Sequence, residues 1–162
     1  MSATQFSDFA SPLIGLPVSH VWRGYGSALF LEFGALSQRT KRDGSAGDPL
    51  GKMSLMIEWS WRIEGRKSIL CGSWSDDAKW PKLFGLLRNK TVVSASLFGR
   101  LPEIELCLSN DVRILSFMTA DGDPNWTLFD RHEAAPRWMF VRCASLYIDS
   151  ELRTRAPKNV ER

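Results

Sequence analysis

Cysteine is scarce and badly placed for a disulfide framework. Cys71, Cys107 and Cys143 are odd in number and far apart, and none belongs to a CxxC pair. The reading they support is free thiols, buried as small hydrophobes inside strands, in the reducing cytoplasm. Histidine is scarcer still, with His20 and His132 alone. HExxH, GxSxG, a Walker A loop and the zinc spacings are all missing, which removes the ready-made metal and nucleophile signatures. No apolar run approaches the roughly 20 residues of a membrane span. The start, MSATQFSDFASP, lacks the basic and apolar regions of a signal peptide. No repeat of fixed period is visible. A strong charge excess is also lacking. The net charge is +3, and the stretch from Arg153 to Arg162 supplies four basic residues against one Glu. The remainder is near neutral, so no nucleic-acid footprint is expected.

What is present is apolar material in abundance. Of 162 residues, 44% are hydrophobic, with seven Trp and nine Phe against two Tyr. That is enough for one domain with a sizeable core, and it argues against wholesale disorder.

The best-patterned stretch runs from Ser54 to Trp74. Leu55, Ile57, Trp59, Trp61 and Ile63 alternate with Ser54, Glu58, Ser60, Arg62 and Glu64, Met56 being the exception. Period-two alternation predicts a strand with one face on a core. Gly65-Arg66-Lys67 then reads as a hairpin turn, and Ile69 to Trp74 as the returning strand. On this pattern Trp59, Trp61 and Trp74 are all assigned to the core.

Elsewhere, residues 1–11 are weakly patterned and read as a flexible N-terminus. Residues 12–150 form a single β-rich domain. Val18 to Trp22 reads as a short strand, and Ser27 to Phe33, apolar on both faces except for Glu32, as a central one. Residues 38–52, with three Gly, a Pro and several charges, read as a mobile polar loop. Asp76 or Ser75 caps a helix whose stripe is Trp80, Leu83, Phe84 and Leu87, the one helix expected. Strands follow over Thr91–Phe98, Glu103–Leu108, Val112–Met118, Trp126–Leu128 and Arg137–Ile148. Residues 151–162 have the composition of a disordered basic tail. The expected class is α+β and predominantly antiparallel β, with about eight strands in a curled sheet or partly open barrel and one short helix.

Residues able to do chemistry are few. His20 could meet Asp130 or Glu133 in space, although surface or structural roles are the default for both histidines. Glu103 with Glu105, and Glu32 with Glu58, are carboxylate pairs of the kind acid–base catalysis uses. On an antiparallel sheet the first pair reads as a wet face. Trp22, Arg23 and Tyr25 form an aromatic–basic–aromatic group of the kind found at protein-binding hot spots. The candidate binding residues are therefore His20, Trp22, Arg23, Tyr25 and His132, with no catalytic set, metal ligands or cofactor.

The run LFGLLRNKTVVSASLF, then LPEIELCLSNDVRILSF, then PNWTLF resembles small uncharacterised bacterial β-rich proteins. Some of these look like immunity proteins beside polymorphic toxins. The similarity covers the middle and last two-thirds of the chain. It implies a stand-alone bacterial cytoplasmic binding protein without a cofactor. The expected function is a non-enzymatic protein-interaction module, as an inhibitor or immunity factor, with a toxin-like protein or a second copy of itself as partner. The alternatives are a small-ligand binder built on a curled sheet or barrel, and an enzyme using His20 or His132 with nearby carboxylates.

Overall fold

A computed structural model describes residues 3–120 and 125–150. It is antiparallel and β-rich, with thirteen strands in three sheets and two short α-helices among the described residues. No helix among them is long and apolar enough to cross a membrane. The first sheet runs β1 (Val18–Arg23), β2 (Leu29–Phe33), β5 (Met53–Ile57), β11 (Trp126–Asp130), β12 (Arg137–Arg142) and β13 (Ser145–Ser150). The second runs β7 (Ile69–Gly72), β6 (Ser60–Glu64), β10 (Arg113–Phe117), β9 (Glu103–Leu108) and β8 (Val92–Phe98). A two-stranded ribbon, β3 (Ser37–Thr40) with β4 (Ala46–Leu50), forms the third.

The alternation between Ser54 and Ile63 is real, but it belongs to two strands. β5 ends at Ile57 in the first sheet and β6 starts at Ser60 in the second. Glu58 and Trp59 form the corner, so Trp59 points out where a continuous strand would have buried it. Leu55 and Ile57 from one sheet and Trp61 and Ile63 from the other enter one apolar cluster. Beyond the corner the expected turn and return strand are present, although β7 stops at Gly72 and Trp74 lies outside it. The single curled sheet or partly open barrel thus resolves into separate sheets. They meet at another corner, where Pro17 bridges Thr91 and the Val18 amide donates to the Lys90 carbonyl at 2.8 Å.

Two helices close the remaining gaps. The expected helix starts as a 3-10 turn, Asp77–Lys79, with Asp76 Oδ1 accepting from the Ala78 amide at 3.0 Å. It continues as α2 (Trp80–Leu87), burying Trp80, Leu83 and Leu87 against β1 and β7. The flexible start is corrected by α1 (Ala3–Ala10), which packs on β8. Phe6 and Phe9 lie three residues apart and therefore share a helix face. Phe6 meets Trp126 edge-on at 6.0 Å. Two rings in a weakly patterned segment were enough to order it, because burial of a ring outweighs poor propensity.

The polar loop is likewise corrected over residues 38–50, which belong to the β3–β4 ribbon. The expected tail at 151–162 lies outside the described residues, as does most of the turn at Ala120–Pro124.

Candidate functional site

The four expected residues on or beside β1 separate into two sites. His20 and Trp22 alternate with core-facing Val21 and so point to the outer face of the first sheet. Arg23 and Tyr25 sit at the strand's end and in the following turn.

On the outer face, the register places His20, Glu32, Ser54, Phe129, Trp138 and Asp149 in one row. Trp22, Phe30, Met56, Thr127, Phe140 and Tyr147 form the next. Trp22 stacks on Phe30 with centroids 3.9 Å apart, and Phe140 stacks on Tyr147 at 5.6 Å. Between them lies an open groove of about 350 Å³ over Met56, Thr127, Phe129, Trp138 and Phe140, with Arg142 and Asp149 at its side.

Glu32 is fully buried on this face. It accepts from the Trp22 indole at 3.0 Å, from the Gly51 amide at 2.8 Å, and from the Ser54 hydroxyl. Arg131 donates in turn to Ser54 Oγ at 2.5 Å and to the Gly51 carbonyl at 3.3 Å. Burial pushes the Arg131 guanidinium below its ordinary value and nearby Arg39 adds to that, while Glu32 opposes it. His20 Nε2 lies 3.0 Å from Asp48 Oδ1 on β4. The ribbon is therefore tied down twice, through His20 and through Gly51.

His132 is not brought to His20. Its Nδ1 lies 2.8 Å from Asp130 Oδ1, and its amide donates to the same oxygen at 3.0 Å. Arg137 Nη2 holds the other oxygen at 2.6 Å. Burial raises the Asp130 pKa, but the bonds from His132 and Arg137 together prevail and hold it below its ordinary value. Each imidazole thus has a carboxylate partner, which could fix a tautomer for proton transfer. Among the described residues neither imidazole has a serine or cysteine partner, and no three His, Cys, Asp or Glu side chains gather to hold a metal. Of the carboxylate pairs, Glu105 binds Arg113 at 2.9 Å, but Glu103 is buried. It accepts from Ser116 Oγ at 2.5 Å and from the Met118 amide, so the expected wet face is corrected there.

The second site is the end of the molecule where three connections converge. Ser27 Oγ donates to the Trp59 carbonyl at 3.1 Å, and the Trp61 indole donates to the Ser27 carbonyl at 2.7 Å. The Ser73 amide donates to the Trp61 carbonyl at 2.9 Å. Arg23 lies 4.6 Å above the Trp80 ring and 2.6 Å from the Asp77 carboxylate. The β1–β2 turn, the β5–β6 corner and the β7–α2 connection are thereby locked together, and each presents a ring to solvent. Tyr25 is 101% exposed, Trp74 93% and Trp59 51%. Core packing explains none of the three. The sequence pointed to Tyr25 but assigned both tryptophans to the core. The signal for Trp74 was its place after Gly72-Ser73, past the end of the strand.

No family model matches the chain, and neither a curated protein nor a solved structure does.

Proposed function

We propose that the chain is a non-enzymatic interaction module that docks another protein through the end carrying Tyr25, Trp59 and Trp74. The observation that carries this reading is the exposure of those rings on connections that hydrogen bonds hold rigid. Exposed tryptophan is uncommon on a surface without a partner, and Trp, Tyr and Arg dominate binding hot spots. A rigid aromatic also loses little side-chain entropy on docking. An inhibitor or immunity factor, the role implied by the sequence resemblance, is a protein of this kind.

A photo-crosslinking residue at position 74, compared with one at exposed Val93 on β8, tests the reading. Adducts formed in the source cell from 74 and not from 93, and lost when Tyr25 and Trp59 become alanine, are the expected result. Equal adducts from both positions, or none from 74, would count against it.

The second reading, a small-ligand binder, draws on the groove above Met56 and Trp138, whose size and few polar groups suit a small molecule. The groove lies on the outer face of the first sheet rather than in the interior or mouth of a curled sheet. Saturable quenching of Trp138 by a member of a metabolite panel, absent in Trp138→Leu, would favour it over protein docking.

A further inference from the structure

Arg23 shows what the aromatic end can hold. Its guanidinium is flanked by the Trp80 ring at 4.6 Å and the Asp77 carboxylate at 2.6 Å. Two further indoles and two further carboxylates are exposed on the connections that converge at this end. Glu58 directly precedes Trp59, and Asp76 stands two residues after Trp74; all four are exposed. Neither Glu58 nor Asp76 has an ion-pair partner among the described residues, and the Asp76 carboxylate accepts there from the Ala78 amide as a helix cap. Asp77, the third acid on these connections, is already paired with Arg23.

From these contacts we infer that the partner docking here is basic, and that it places Arg or Lys side chains over Trp59 and Trp74. Resting on the docking role given above, this names the chemistry of the surface that fits. An ammonium or guanidinium over an indole is attracted by the negative face of the ring, and more strongly once water is expelled. Glu58 and Asp76 supply the counter-charge at the rim, where complementarity sets orientation and speed of encounter. An acidic partner would meet two unpaired carboxylates. A purely apolar partner would leave both dehydrated without a partner. A cationic partner satisfies the rings and the acids together, and planar, bidentate Arg does so better than Lys.

The test uses the full chain and three repeat peptides of equal length, Arg–Gly, Lys–Gly and Glu–Gly, followed by tryptophan fluorescence. Two variants accompany it. Glu58→Gln with Asp76→Asn removes the charge and keeps the cap, because Asn also caps helices. Trp59→Ala with Trp74→Ala removes the rings. Arg–Gly is expected to bind about tenfold or more tighter than Glu–Gly, with Lys–Gly between them. The charge variant should lose about tenfold of that affinity, and the ring variant essentially all of it. Absent Arg–Gly binding, equal binding of Glu–Gly, or unchanged binding by either variant overturns the inference. Crosslinking from position 74 separates the two ideas. If adducts persist in the charge variant while Arg–Gly fails to bind, docking at this end stands and its basic partner falls. If adducts never form at 74, docking at this end falls by itself.

Discussion

The Trp22 indole nitrogen donates to Glu32 at 3.0 Å, and that bond gives a fully buried carboxylate its place on the outer face of the first sheet. Two more donors, the Gly51 amide and the Ser54 hydroxyl, share its second oxygen, and Arg131 reaches it through Ser54. Removing the acceptor strands the Trp22, Gly51 and Ser54 donors. Glu32→Ala is therefore expected to cost about 3 kcal/mol or more in denaturant unfolding, the range for breaking a buried charged network from one side. Glu32→Gln, which keeps one carbonyl acceptor, should cost less. A loss under about 1 kcal/mol for the alanine would show that water takes over the role of Glu32.

Asp130 predicts a pH dependence with a definite sign. Burial alone would raise its pKa, but the bonds from His132 and Arg137 outweigh burial and lower it. A carboxyl more acidic in the folded than in the unfolded chain adds stability above its unfolded value of about 3.9. That stability is lost as pH falls through the depressed folded value. Midpoints of urea unfolding measured downward from pH 6 should fall for the native chain and fall less steeply for Asp130→Asn. Parallel curves would mean that Asp130 has the same pKa in both states.

The β12–β13 hairpin turns through Cys143 and Ala144, at φ of 47° and 56°. Arg142 pairs with Ser145, so the loop has two residues, both in the left-handed region that Asn and Gly tolerate and other residues resist. The double change Cys143→Asn with Ala144→Gly is expected to stabilise by about 1 kcal/mol, read as a higher midpoint at unchanged m-value. It also corrects the cysteine assignment: Cys71 is buried as expected, Cys107 half-buried, and Cys143 exposed in a turn rather than inside a strand.

Strand positions were legible wherever one face met the core and the other met water. Glu103–Leu108 matches β9 end to end, and Arg137–Ile148 divides into β12 and β13. Legibility failed where a third element intervened. Glu32 follows the outward parity of β2, yet Gly51 and Ser54 close over it, which no local pattern in either segment announces. Trp22 reads in the sequence as one hot-spot group with Arg23 and Tyr25, but strand parity turns it, together with His20, onto another face. The corner at Glu58–Trp59 was hidden for the opposite reason. Period two continues through it, so hydrophobicity alone cannot show that the partner sheet changes.

That corner gives the sharpest contrast to measure. Trp61, at 2% exposure, meets Trp80 edge-on at 4.9 Å and donates to Ser27, whereas Trp59, two residues earlier, is half in solvent. Trp61→Ala should cost about 3–5 kcal/mol through cavity formation and the stranded Ser27 carbonyl. Trp59→Ala and Trp74→Ala should each stay within about 0.5 kcal/mol, because neither ring fills space in the core. Acrylamide should quench the native chain's fluorescence in part, and the Trp59/Trp74 double variant should lose the quenchable fraction. If either exposed tryptophan proved as costly to remove as Trp61, the ring would be holding the fold, and the case for a surface kept for a partner would fail. Neutral stability with lost binding is the combination that packing cannot produce, since a residue retained for the core must be missed by the core.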